Sequence, residues 1–127
     1  MPADPRELRA ARAGVARLLL AQGVEPAVID DVVLAVSEVL TNAVQASPPD
    51  GVIELRVDCG RERVRVEVRN SGDAIDVDLV DADLPPLAQV GGRGIPVVRA
   101  VTDELEARHD APGTTTVAFS RRRRAAR

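Results

Sequence analysis

Residues 53–70 read IELRVDCGRERVRVEVRN, and the period of that stretch decides the fold. Ile53, Leu55 and Val57 alternate with Glu54, Arg56 and Asp58. After a turn around Gly60, Val64, Val66 and Val68 alternate with Arg65, Glu67 and Arg69. Side chains along a strand point to opposite faces, so this pattern predicts an antiparallel hairpin with one buried and one charged face. Cys59 continues the apolar row as a small core residue.

Outward from the hairpin the period becomes helical. Asp4-Pro5-Arg6-Glu7 places Asp at an N-cap, Pro at N1 and Glu at N3. Leu8, Ala11, Val15, Leu18 and Leu19 follow at helical spacing, and Gly23 supplies the C-cap. Pro26 opens a second helix that runs to about Ser47, with Ile29, Val32, Val33, Val36, Val39, Leu40 and Ala43 as its apolar stripe. Pro48-Pro49-Asp50-Gly51 stops it. On the other side of the hairpin, residues 71–93 show little apolar periodicity, and five aspartates fall between Asp73 and Asp83. A structureless loop of that length in a compact domain is usually functional or disordered. Ile95 to about Val101 reads as a short helix with Pro96 near N1. Leu105 and Ala107, the turn Asp110-Ala111-Pro112-Gly113, then Thr115, Val117 and Phe119 predict a second hairpin. The order of elements argues for an α+β fold, with helices packed on one face of a mostly antiparallel sheet.

The chain has 127 residues, 45% hydrophobic and 29% charged, which suits one domain able to bury a core without disulfides. One cysteine excludes an internal disulfide, and one histidine, His109, makes a zinc site improbable and reads as a surface residue near a turn. No apolar run reaches bilayer-spanning length and the start lacks signal-peptide character, so a cytoplasmic protein with no membrane partner is expected. All 17 basic residues are arginine, which excludes a lysine-bearing phosphate loop and Schiff-base chemistry. Residues 1–120 hold 12 arginines against 20 carboxylates, a net of −8, and the chain has a single aromatic residue. An acidic body without stacking platforms argues against direct nucleic-acid binding. The domain is expected over 1–120, with 121–127 as a disordered basic tail.

Four short features carry chemistry. Glu38 and Asn42 lie four apart on the second helix and share one face, away from the apolar stripe. A carboxylate there could serve as a base and an amide oxygen could ligate magnesium. Alone, the pair reads as solvated surface. Asn70-Ser71-Gly72 ends a strand, and alone it is a turn. Gly91-Gly92-Arg93-Gly94 precedes a helix, where glycines let backbone N–H groups approach a phosphate. Without a surrounding βαβ unit it is not a dinucleotide fingerprint. Gly113-Thr114 opens the last strand.

In this order, from about Pro5 to Phe119, the set resembles the GHKL (histidine-kinase-like, Bergerat-type) ATPases, which include gyrase-type, heat-shock-90, histidine-kinase and mismatch-repair ATPases. The stretches LAVSEVLTNAVQAS (34–47) and GGRGIPVVRAVTDEL (91–105) look most like the anti-sigma-factor serine kinases. The resemblance implies ATP and Mg²⁺ as cofactors, with Asn42 holding the magnesium and Glu38 as general base toward a partner's serine. Asn70 stands where the family usually has an aspartate receiving the adenine amino group, and Gly72 leaves room for the adenine edge. Gly92, Arg93 and Gly94 border the triphosphate at the end of a lid formed by about 73–93, and Thr114 closes the adenine end. The implied partners are a sigma factor and an anti-sigma antagonist of the STAS type. A homodimer is compatible with the resemblance, and the sequence leaves the oligomeric state open.

Three departures bear on that reading. Asn70 keeps an acceptor oxygen but loses charge assistance. Ala74 replaces the second glycine of the motif, tightening the approach. Members often begin with a strand before the first helix, which here is missing or supplied differently. The expected function is an ATP-dependent serine kinase that also sequesters a sigma factor. The alternative is a non-catalytic binding module with a degenerate nucleotide pocket.

Overall fold

The computed structural model describes residues 1–48, 50–71, 94–111 and 113–124. A short 3-10 turn, Pro5–Glu7, leads into α1 (Leu8–Ala21), followed by α2 (Pro26–Ala46), β1 (Ile53–Cys59), β2 (Arg63–Ser71), α3 (Gly94–Val101), β3 (Glu104–Ala111) and β4 (Thr114–Arg122). The capping signals in the sequence act as expected. The Asp4 carboxylate accepts the Arg6 N–H at 2.9 Å, and Gly23 takes φ +75 just past α1. Pro26 occupies the first turn of α2.

The four strands form one antiparallel sheet in the order β1-β2-β4-β3. Its inward face carries Ile53, Val64, Val66, Val68, Val117 and Phe119, all buried against Val15, Leu19, Val32, Val36, Val39, Leu40 and Val98 of the helices. This is the one-sided α+β packing expected from the two periods. The outward face is charged. Arg63 meets Glu104 at 3.3 Å, and Arg65 meets Glu106 at 3.2 Å. Exposed pairs of this kind contribute little stability each. On the central strand β4, however, the outward Thr116, Ala118 and Ser120 are buried, at 3%, 1% and 2% exposure. Neighbouring strands carry long arginines and glutamates whose stems can lie across such small side chains.

The chain start supplies a remnant of the strand that the sequence reading found wanting. Pro2 bridges Val52, the Ile53 N–H donates to Met1 O at 2.7 Å, and the Ala3 N–H donates to Gly51 O at 2.9 Å. These contacts pair residues 1–3 with the chain entering β1.

The basic tail needs correction. Arg121 and Arg122 belong to β4 rather than to a free segment starting at 121. The Arg121 guanidinium meets Asp31 of α2 at 3.0 Å. Arg123 donates from its side chain to Gln22 O at 3.2 Å and to the Cys59 sulfur at 3.0 Å, while the Arg124 N–H donates to the Glu25 carboxylate at 2.6 Å. Glu25 is held below the usual carboxylate range by its own backbone N–H first and the Arg124 N–H second. The guanidiniums of Arg121 and Arg123 thus reach a carboxylate of α2, the carbonyl just past α1 and the sulfur at the end of β1. Residues 125–127 lie outside the described residues.

Candidate nucleotide site

Antiparallel register sets four residues in one row across the sheet: Ile53 pairs with Asn70, Asn70 with Thr115, and Thr115 with His109. Directly opposed residues place their side chains on the same face within about 5 Å. Asn70 shares the inward parity of Val64, Val66 and Val68 and is buried at 2% exposure. A buried amide must be hydrogen-bonded. Its Nδ2 donates to Ser71 O at 2.9 Å and to Ser47 Oγ at 3.4 Å. Neither bond engages Oδ1, the acceptor oxygen.

Ser47 is the C-cap of α2 and was not singled out in the sequence. Its single proton goes to Ala43 O at 2.6 Å, with Ser71 O a longer secondary contact at 3.2 Å, so the end of α2 lies against the end of β2. Asn42 lies one turn before Ala46 at this same end, and Glu38 one turn before Asn42. Both are half-buried. The expectation that they face away from the apolar stripe is therefore corrected: they border it, one position before the buried Val39 and Ala43. The reason is that α2 is covered on more than one side, since α1, α3 and the sheet all pack on it.

Thr114 pairs with Ser71 and has outward parity. With Val52, Glu54, Arg69, Asn70 and Ser71 it lines a cavity of about 310 Å³ at the rim of the sheet. Thr115, not Thr114, is the fully buried threonine beside Asn70. Its Oγ1 lies 3.0 Å from His109 Nδ1. The signal was present in the sequence, because Thr115, Val117 and Phe119 alternate. His109 is exposed as expected for a residue near a turn, yet its ring reaches the buried hydroxyl. Gly94 opens α3. Gly72, Gly92, Arg93, Ala74 and the expected lid over 73–93 lie outside the described residues.

What the site can do follows from these atoms. The sheet end offers a neutral amide and a hydroxyl side by side, which suit the edge of a base. One face of α2 offers an amide oxygen and a carboxylate, donors suited to a hard cation that keeps several waters. Among the described residues no group of three or more His, Cys, Asp and Glu could cage a metal, so such a cation would be held mainly by phosphates and water.

Residues 1–120 match the model of the histidine kinase-like ATPase domain. The chain belongs to that family. Within it, the chain is similar to the serine-protein kinase RsbW of Bacillus velezensis and of Bacillus subtilis, each 27% identical over 92% of this chain and 80% of the relative. These relatives agree with the resemblance to the serine-kinase branch read from residues 34–47 and 91–105. Among solved structures, the mycobacterial sensor histidine kinase MprB superposes with a TM-score of 0.60 at 22% identity, covering 77% of this chain and 74% of that one. The catalytic domain of histidine kinase ThkA gives a TM-score of 0.61 at 18% identity, covering 77% and 70%. Both share the fold of this histidine kinase-like ATPase domain. No helix among its described residues is long and apolar enough to cross a membrane.

Proposed function

We propose that this domain binds ATP with Mg²⁺ and transfers the terminal phosphate to a serine of a STAS-type anti-sigma antagonist, and that it also sequesters a sigma factor. The observation that carries the reading is the junction of α2 with β2. Asn70 sits buried at the strand end, Ser47 ties it to the helix, and Glu38 and Asn42 follow on half-buried turns of that helix. A family of ATPases whose relatives here are serine-protein kinases gives that junction its chemistry.

Each residue has a distinct task. Asn70 Oδ1 accepts from the adenine amino group, and Gly72 leaves room for the ring. Asn42 contributes an amide oxygen to Mg²⁺, which supplies charge neutralisation to the phosphates when bound. Gly92, Arg93 and Gly94 approach the phosphates ahead of α3, where the helix N-terminus favours negative charge. Glu38 takes the proton from the antagonist's serine hydroxyl as its oxygen bonds to the terminal phosphorus and the bond to ADP breaks. In this chemistry catalysis is largely positioning and charge stabilisation. The neutral Asn70 in place of an aspartate favours a second reading, a binding module that holds nucleotide without transferring phosphate. Radiolabelled-phosphate transfer to the cognate antagonist separates them. Labelled antagonist supports the kinase, and capture of sigma factor without any label leaves the binding module.

A further inference from the structure

Strand β1 lies at one end of the sheet, with β2 on its inner side. On the outer side, the Met1 amino group donates to Ile53 O at 2.6 Å and the Ile53 N–H donates to Met1 O at 2.7 Å. Ile53 therefore turns its peptide groups away from β2. The β1–β2 register runs from Ile53 to Cys59 without a shift. Peptide groups alternate in direction along a strand, so those of Leu55, Val57 and Cys59 also point to the outer side. Among the described residues no strand pairs with them there.

The side chains along this edge do little to protect it. Natural edges are commonly blunted by lysines, prolines, bulges or inward-pointing charges. On the helix side β1 instead carries Leu55, Val57 and Cys59, each half-buried. Leu18 of α1 is 41% exposed, and with Gln22, Val57, Asp58, Cys59 and Gly60 it lines a cavity of about 380 Å³. An open backbone edge beside a half-covered apolar row is a template for one more strand.

We propose that the added strand is β1 of a second copy of this chain, joined antiparallel about a two-fold axis through Val57. The charged side chains of the strand select both the occupant and the register. With Val57 facing its own counterpart, Arg56 of each copy faces Asp58 of the other on the outward side. On the helix side Leu55 faces Cys59. The facing residues 55, 57 and 59 all point their peptide groups at the other copy, so each such pair exchanges two backbone hydrogen bonds. Opposite charges directly across a strand pair stabilise it, and like charges oppose it.

Neighbouring registers fail on the same grounds. Centring on Arg56 sets Arg56 against itself and Glu54 against Asp58. Centring on Asp58 sets that carboxylate against itself. Centring on Leu55 needs the edge of Ile53, which Met1 already holds. The stretch from Leu55 to Cys59 is thus self-complementary, as a two-fold contact requires. Arg56 and Asp58 are both exposed and lie 3.5 Å apart along their own strand, so meeting a second copy requires no unburying. The interface uses none of the residues assigned above to the nucleotide, and the inference stands apart from that reading.

The experiment is sedimentation equilibrium of the full chain from micromolar to millimolar concentration. Wild type should dimerise in that range. Arg56→Asp and Asp58→Arg each place like charges across both symmetric pairs, and each should weaken the dimer by roughly tenfold or more. Combining the two restores opposite charges between copies and should bring dimerisation back to within a few-fold of wild type. Within one chain the same combination sets like charges across from Glu67 and Arg65, so a merely structural role would leave it weaker than either single change. Disulfide trapping reads the register independently of these charges. In a Cys59→Ser background, Val57→Cys should oxidise to a linked dimer, because facing Cα atoms lie about 5.5 Å apart, within disulfide reach. Leu55→Cys in that background should not, since it faces the serine at 59. A wild type that stays monomeric at millimolar concentration overturns the proposal. So does a dimer that neither charge reversal weakens, or one trapped through Leu55→Cys and not through Val57→Cys.

Discussion

Asn70→Asp restores the charge that the family usually carries at this position, and the structure gives the change two opposite consequences. In the free protein it is costly. Asn70 Nδ2 donates to Ser71 O at 2.9 Å, and a carboxylate would turn that bond into a contact between two acceptors at a site only 2% exposed. Ser71 O keeps the Ser47 hydroxyl only as a secondary contact at 3.2 Å, because that proton is directed to Ala43 O at 2.6 Å. The loss is one buried hydrogen bond plus burial of a charge, about 2 kcal/mol. That is a sizeable part of a typical domain stability of roughly 5–15 kcal/mol. With adenine bound, the charged acceptor strengthens the bond from the amino group by about 1 kcal/mol, or several-fold in affinity. Burial raises the carboxyl's folded pKa above its unfolded value. The deficit is therefore absent below the unfolded pKa and develops as pH rises through the folded one. Thermal melts with and without MgATP read both effects. The variant should melt lower than wild type by about 6–10 °C at neutral pH, nearly match it near pH 4, and gain more from MgATP. A variant as stable as wild type at neutral pH, or one with weakened ATP binding, would refute the reasoning.

Further predictions address the frame of the site. Gly113 takes φ +76 between β3 and β4, so Gly113→Ala should cost about 1–2 kcal/mol, read as a lower urea midpoint with unchanged slope. Deleting 125–127 should leave the melting temperature unchanged, whereas deleting 121–127 should lower it by several degrees, because Arg121 to Arg124 reach Asp31, Gln22 and Glu25. The Glu25 carboxylate is held below its usual range, so the contact it makes persists above that range and is lost as pH falls through its lowered value. The Arg124 amide should therefore exchange faster, relative to the core, in acid than at neutral pH.

The fold was legible because its periods are clean. Residues 53–59 and 64–70 each alternate cleanly on either side of the turn at Gly60, and Asp4, Gly23, Pro26 and the Pro48–Gly51 run mark helix ends with side chains that each have a physical reason to be there. The site was legible in part. Asn70 falls on the inward parity of its strand, and the α2 pair is one turn apart by arithmetic alone. Thr114, read from its dipeptide with Gly113, lines the cavity at the sheet rim, while the alternation with Val117 and Phe119 marks Thr115 as the buried neighbour of Asn70. The half-burial of Glu38 and Asn42 required knowing how many elements pack on α2, which depends on contacts distant in sequence. The ordered arginines have the same origin: a run of five in seven residues looks solvated until the carboxylates and carbonyls that receive it are placed nearby. Ser47 carried no signal of its own, since a serine at a helix end is ordinary.

The central claim is that α2 separates metal holding from proton transfer, with Asn42 doing the first and Glu38 the second. It is tested most directly by measuring MgATP affinity and phosphate transfer to the cognate antagonist in wild type, Glu38→Ala and Asn42→Ala. A base acts mainly in the transition state, so Glu38→Ala should keep affinity within a few-fold while transfer falls by roughly 10²–10⁴. Asn42→Ala should lose both affinity and transfer, because the cation positions the phosphates as well as neutralising them. Transfer by Glu38→Ala at the wild-type rate, or Asn42→Ala binding MgATP as wild type does, would contradict the account.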